Sequence, residues 1–208
     1  MKKTKNDERF FIVASDTHIG NHLTEKTIKK LNAIKFKDAK LLILAGDLTE
    51  NGKIEEYNLI KNFIEKKEEE RKIAIPLLGN HDINNNGKDE FRKLFTPLFE
   101  KLKRRKGMNF SEKRGNGFIN FSFNFGRAKI LMLDYENPLK SQNTESYSWL
   151  IEQVRSAKNK IVIIISHSPV IINKKKILLL SFSSTEELKG VMEKMDEVEE
   201  ALIRCGKK

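Results

Sequence analysis

The chain has 208 residues, 38% of them hydrophobic and 33% charged, with a formal charge of +11 and one cysteine. That length suits one α/β domain, 1–208, with a sizeable core; no apolar run approaches the roughly 18 residues of a membrane span, and Cys205 has no partner for an internal disulfide. The charged start MKKTKNDERFFIVAS lacks the apolar stretch of about 7–15 residues that a secretory leader needs, so a reducing, cytoplasmic setting is expected, with no membrane partner.

In chain order, the apolar runs FFIVAS (10–15), LLILAG (41–46), IAIPLLG (73–79), AKILMLD (128–134) and IVIIIS (161–166) read as strands by length and β-branched content. They show little alternation, as strands covered on both faces do in parallel sheets. Helical patterns at Thr24–Phe36 and Ile54–Glu70 separate the first strands, giving units of βαβ size. Residues 88–105 read as a basic helix. GNGFINFSFNFGRAKILMLDY then reads as two strands turning at Gly126-Arg127, and the alternation of Phe121, Phe123 and Phe125 with polar residues predicts one buried and one open face. A helix carrying Trp149, Leu150 and Val154 is expected over about 144–158, and another over 184–203, where EALIRC could instead begin a strand. The stretch HSPVIINKKKILLLSFS fits no element clearly. Loops at 20–24, 83–90, 107–117 and 136–144 are the expected places for substrate selection.

The polar residues fall in a pattern. The first strand runs into Asp16 and His18, the second into Asp47, the third into Asn80, His81 and Asp82, and IVIIIS into His167; every histidine except His22 follows a strand. In open α/β sheets, sites form at the C-terminal strand ends. Carboxylate, amide oxygen and imidazole together form a mixed O/N donor set that suits Mn, Fe, Zn or Ni better than Ca or Mg. Asp47, with two oxygens, can bridge two ions. Such a pair clamps a phosphoryl group and activates a hydroxide for in-line attack. His81 is then left to protonate the departing oxygen, with Asp82 placed to orient its ring. Gly46 and Gly79 allow close backbone approach. His22 is a candidate to line the pocket and touch substrate together with Asn80 and His81, or to serve as a further metal ligand; the plainer reading is a surface residue at the start of a helix.

These blocks resemble the calcineurin-like metallophosphoesterase family. SDTHIG is similar to its Asp-x-His opening, LAGDLTENG to its Gly-Asp block, LLGNHD to its Gly-Asn-His-Asp/Glu block, FSFNFGRAKILMLDYE to its strand pair, SWLIEQV to its Trp-Leu helix and ISHSPV to its histidine block. The resemblance implies a four-layer α/β/β/α sandwich of two mixed sheets, two transition-metal ions, and hydrolysis of small phosphate mono- or diesters by a metal-bound hydroxide. One ion would take Asp16, His18 and Asp47, the other Asp47, Asn80 and His167. The phenylalanine-rich hairpin leans toward the purple-acid-phosphatase-like and cyclic-nucleotide-phosphodiesterase-like branches. The family's closing Gly-His-x-His block has no counterpart here; Lys207 stands where its first histidine would fall. This implies a chain that continues past Lys208 or one that has lost those ligands. A non-catalytic binding scaffold of the same fold is therefore one alternative. A nuclease is another, because the basic charge, densest at Lys2–Lys5, Lys101–Lys106 and Lys174–Lys176, favours anionic partners including nucleic acid.

Overall fold

The structure is a computed structural model, and it describes residues 11–34, 39–115, 118–134, 144–157, 160–167 and 177–181. The expected helix over 184–203, Lys174–Lys176 and the 136–143 part of a proposed loop lie outside these residues. Among the described residues no helix is long and apolar enough to cross a membrane.

The first sheet has the order β1-β2-β3, from Phe11–Ala14, Leu41–Ala45 and Ile73–Leu77. Both pairings are parallel, with Val13 opposite Ile43 and Ile43 opposite Ile75. α1 (Thr24–Ala33) and α2 (Ile54–Glu69) make the crossovers. Every residue of β2 and β3 is buried, which is why these runs show no polar alternation. Tyr57, Ile60 and Ile64 recur at helical spacing on α2 and join the same core.

A short 3₁₀ segment, His81–Asn86, follows β3 and leads straight into α3 (Gly87–Lys103). Much of the loop expected at 83–90 is therefore helical. Phe91, Phe95 and Phe99 lie four apart along α3 and are buried. Phe91 and Phe95 meet Tyr57 edge to face, while Phe99 reaches Phe110 and Phe121 of the neighbouring chain segments.

The second sheet has the order β4-β5-β6-β7-β8, from Ser111–Gly115, Phe118–Phe125, Ala128–Leu133, Ile161–Ser166 and Ile177–Ser181. β4, β5 and β6 are antiparallel neighbours; β6, β7 and β8 are parallel. α4 (Thr144–Ser156) connects β6 to β7. The second sheet is mixed, as expected; the first is parallel throughout among the described residues.

Ile119, Phe121, Phe123, Ile130, Met132, Ile163 and Ile165 belong to the core shared with the first sheet and its helices. The opposite face was expected to be open, and it is not. Asn120 and Ser122 are fully buried. Ser122 Oγ donates to Gln153 Oε1 of α4 at 2.8 Å, and Lys129 Nζ donates to Ser156 Oγ at 2.6 Å. α4 thus supplies partners for Ser122 and Lys129, while Asn120 Oδ1 accepts the Asp134 N–H at 3.1 Å, as burial of polar groups requires.

Candidate metal centre

The motif residues lie past the C-terminal ends of β1, β2, β3 and β7, where both sheets deliver chain to one place. The loops after β1 and β2 are laced together. Asp16 N–H donates to the Gly46 carbonyl at 3.1 Å, His18 N–H to the Asp47 carbonyl at 2.9 Å, and Ile19 N–H to the Leu48 carbonyl at 2.9 Å. Thr17 Oγ1 adds a bond to the Leu48 carbonyl at 2.7 Å. This lacing holds Asp16, His18 and Asp47 at φ of 55°, 42° and 47°. Left-handed backbone costs a non-glycine residue about 1–2 kcal/mol, and such strain gathers at functional sites.

Asp47 is the hub, and it is 4% exposed. Its Oδ1 accepts the His81 backbone N–H at 2.9 Å. Its Oδ2 faces two imidazoles, with His18 Nε2 at 3.6 Å and His167 Nε2 at 3.3 Å. Asp16 Oδ1 is 3.9 Å from His18 Nε2. Asn80 Oδ1 is 3.2 Å from His167 Nε2. Asp16, His18, Asp47, Asn80 and His167 are thus brought together.

His167 tests whether a cation fits. Its Nδ1 is 3.1 Å from the Ala45 carbonyl, which can only accept, so Nδ1 carries the hydrogen. In the neutral ring, Nε2 then points a lone pair at the Asp47 and Asn80 oxygens, in a place where His167 is almost wholly buried. Electron-pair donors converging in a low-dielectric pocket need a proton or a cation between them. Ligand atoms of His18, Asp47 and His81 lie within 4.8 Å of one another, as do those of Asp16, Asp47 and His167, so the two sets share Asp47. These mixed oxygen and nitrogen donors fit transition-metal ions.

The electrostatics agree with the contacts. Burial pushes the Asp47 carboxyl up, but the His167 imidazole facing it and the His81 N–H outweigh that and hold the group below the ordinary carboxylate range. For His167 burial favours the neutral ring, and the Asp47 carboxylate outweighs that, leaving its pKa raised.

Asp82 requires a correction: it does not orient the His81 ring. Asp82 is fully buried, and its oxygens accept from Leu48 N–H at 3.0 Å, Thr49 N–H at 2.9 Å, Gly79 N–H at 2.8 Å and Thr49 Oγ1 at 2.8 Å. It ties the loop carrying Asp47 to the loop carrying Asn80. The His81 ring instead places Nδ1 2.9 Å from the Glu50 carbonyl. Adjacent residues in a 3₁₀ turn project in different directions, and here only the second of the pair points inward. His22 is exposed on the turn into α1, and no hydrogen bond or ion pair among the described residues ties it to the cluster.

Glu50 escaped the sequence reading. It is half-buried, and its carboxylate lies beside His18. The only cue was an acidic residue inside the block LAGDLTENG.

The glycines set the clearances. A Cβ on Gly46, whose φ is +85°, would sit 2.5 Å from both Cβ and Cγ of His167; one on Gly79 would sit 2.1 Å from Asp47 N. Gly46→Ala is therefore expected to displace His167, weaken metal binding at least about tenfold and destabilise the fold by about 1–3 kcal/mol. Calorimetric titration with Mn²⁺ and thermal melts of the variant check both.

The family model for calcineurin-like phosphoesterases matches residues 11–193. A probable cyclic nucleotide phosphodiesterase of Fibrobacter succinogenes is 21% identical over 199 residues, covering 91% of this chain and 69% of that protein. Another, of Ruthia magnifica subsp. Calyptogena magnifica, is 28% identical over 156 residues, covering 64% of this chain and 63% of that protein. Of solved structures, a purple acid phosphatase from yellow lupin seeds aligns with a TM-score of 0.44 at 13% identity, over 76% of this chain and 30% of that one. A phosphopantetheinyl hydrolase from Mycobacterium tuberculosis aligns with a TM-score of 0.39 at 12% identity, over 78% and 69%.

Proposed function

Because this chain belongs to the calcineurin-like phosphoesterase family, we propose that it hydrolyses small phosphate esters at a dinuclear metal centre. The observation that carries this reading is the sharing of Asp47 Oδ2 between His18 on one side and His167 on the other, at 3.6 and 3.3 Å. Asp16, His18 and Asp47 would hold one ion, and Asp47, Asn80 and His167 the other. Bound ions would neutralise charge on the phosphoryl oxygens and acidify water for in-line attack.

The chain's own residues do the rest. The His81 N–H fixes the Asp47 carboxylate so that its other oxygen stays at the hub. The Ala45 carbonyl fixes the His167 ring with Nε2 inward. The Glu50 carbonyl, accepting from His81 Nδ1, leaves Nε2 of that ring to carry a proton to the leaving oxygen. The probable cyclic nucleotide phosphodiesterases among the relatives support a diester as the first substrate to try.

The test is turnover of bis(p-nitrophenyl) phosphate and p-nitrophenyl phosphate by purified, folded protein with Mn²⁺, against a chelated control. Metal-dependent hydrolysis is expected. No turnover above blank with Mn²⁺, Fe²⁺, Zn²⁺ or Ni²⁺ would favour the scaffold alternative. His81→Ala separates the roles: turnover is expected to fall about 10²–10⁴-fold, the typical worth of a proton-transfer group, while metal content stays near wild type. Loss of metal in that variant would make His81 a ligand instead.

A further inference from the structure

His18 is held from two sides. Its Nε2 faces Asp47 Oδ2 at 3.6 Å and Asp16 Oδ1 at 3.9 Å. Its Nδ1 is buried and has no aligned hydrogen-bond partner among the described residues. Oε2 of Glu50 nevertheless lies 2.9 Å from that nitrogen. Glu50 also reaches His81: its backbone carbonyl is 2.9 Å from His81 Nδ1, and Oε1 is 4.0 Å from the same atom. The two rings meet edge to face with centroids 4.6 Å apart. One residue therefore borders the Nδ1 side of both histidines, and Asp47 lies across from it.

We propose that Glu50 is a positioning residue that sets the proton of His18 on Nδ1 and so keeps Nε2 open as a metal ligand. This inference rests on the reading of the site as a metal centre. The chemistry follows from the placement. A neutral imidazole has one N–H, and the nitrogen without it is the one that can ligate. Asp16 and Asp47 draw that hydrogen toward Nε2, where it would occupy the cation's place. The carboxylate of Glu50, nearer than either, draws it the other way. Once a cation sits at Nε2, the hydrogen must be on Nδ1, a buried atom for which Glu50 is the available acceptor. Leaving such a donor unmet is unfavourable, and outer partners of ligating histidines commonly change metal affinity about 10–100-fold when removed. Through its backbone carbonyl the same residue also holds His81, so the ligand and the proton donor share one support.

The full chain with Glu50→Ala tests this by two readouts that do not depend on activity. In Mn²⁺ titrations the variant is expected to bind about 10–100-fold more weakly than wild type, with Glu50→Gln, which keeps a neutral acceptor, falling between. In ¹⁵N-histidine NMR of metal-free protein, the His18 ring is expected to shift toward the Nε2–H tautomer in Glu50→Ala relative to wild type. Affinity within twofold of wild type overturns the proposal. So does weaker binding with an unchanged tautomer ratio, because the loss would then come from something other than proton placement. If Glu50→Ala does not fold, Glu50→Gln carries both measurements. Should wild type bind no metal, the functional reading fails, and the tautomer shift then decides the role of Glu50 by itself.

Discussion

Asp47→Asn is expected to remove hydrolysis almost completely, with kcat/KM falling at least about 10³-fold and metal content dropping at both positions. The ground is the geometry of one oxygen. Asp47 Oδ2 is the atom that faces His18 and His167 together, while Oδ1 is held by the His81 N–H. An amide at this position must keep its oxygen toward the N–H, which turns its NH₂ toward the hub. Two hydrogens and a neutral group then stand where a shared anion stood. A factor of 10³ is about 4 kcal/mol of transition-state stabilisation, within the several kcal/mol that metal-ion catalysis contributes. Steady-state kinetics and elemental analysis of the same preparation check it. A variant that keeps full metal content and loses activity less than tenfold would show that Asp47 is not the shared ligand.

Asp82→Ala is expected to act on stability. The carboxylate accepts from the N–H groups of Leu48, Thr49 and Gly79 and from Thr49 Oγ1, and it is fully buried. Tyr57 donates to the carbonyl of the same residue at 2.7 Å, pinning α2 to this turn. Removing the side chain leaves buried donors without partners, at about 1–3 kcal/mol for each group fully orphaned. Water entry relieves part of this, so a total of about 3–5 kcal/mol is expected. For a chain of this length that lowers the melting temperature by roughly 10 °C. Thermal unfolding of variant and wild type at one pH measures it. If Asp82 instead worked by orienting His81, the variant would melt near wild type and lose turnover alone.

Much of the frame was legible because burial on both faces leaves a plain signature. β2, β3 and β7 are runs of apolar residues, and their bounds come from where water-compatible residues begin. β4 was missed because SEKRG carries almost nothing apolar; among the described residues it is an edge strand, and charge suits an edge. β8, Ile177–Ser181, was missed for another reason: it lies in an apolar stretch with lysines before it and no turn signal to bound it.

At the site, the clustering of Asp16, His18, Asp47, Asn80 and His167 could be expected because each follows a strand, and parallel strands end on one edge. What sequence could not supply was direction. Asp82 sits beside His81 in the chain but faces the loop at 47–49, and the partner that the His81 ring finds is a carbonyl more than thirty residues earlier. Glu50 was hidden likewise, since its contact with His18 exists only after the loops past β1 and β2 are laced together. The polar face of β5 misled for a related reason: alternation marks two different faces, and only the structure shows that α4 covers the second.

The most direct measurement is an anomalous-difference map from crystals of this chain soaked in Mn²⁺. Two peaks flanking Asp47 Oδ2 are predicted, one beside Asp16 and His18 and the other beside Asn80 and His167. A map with no peak at that oxygen, in crystals whose surface carboxylates do bind Mn²⁺, would contradict the account.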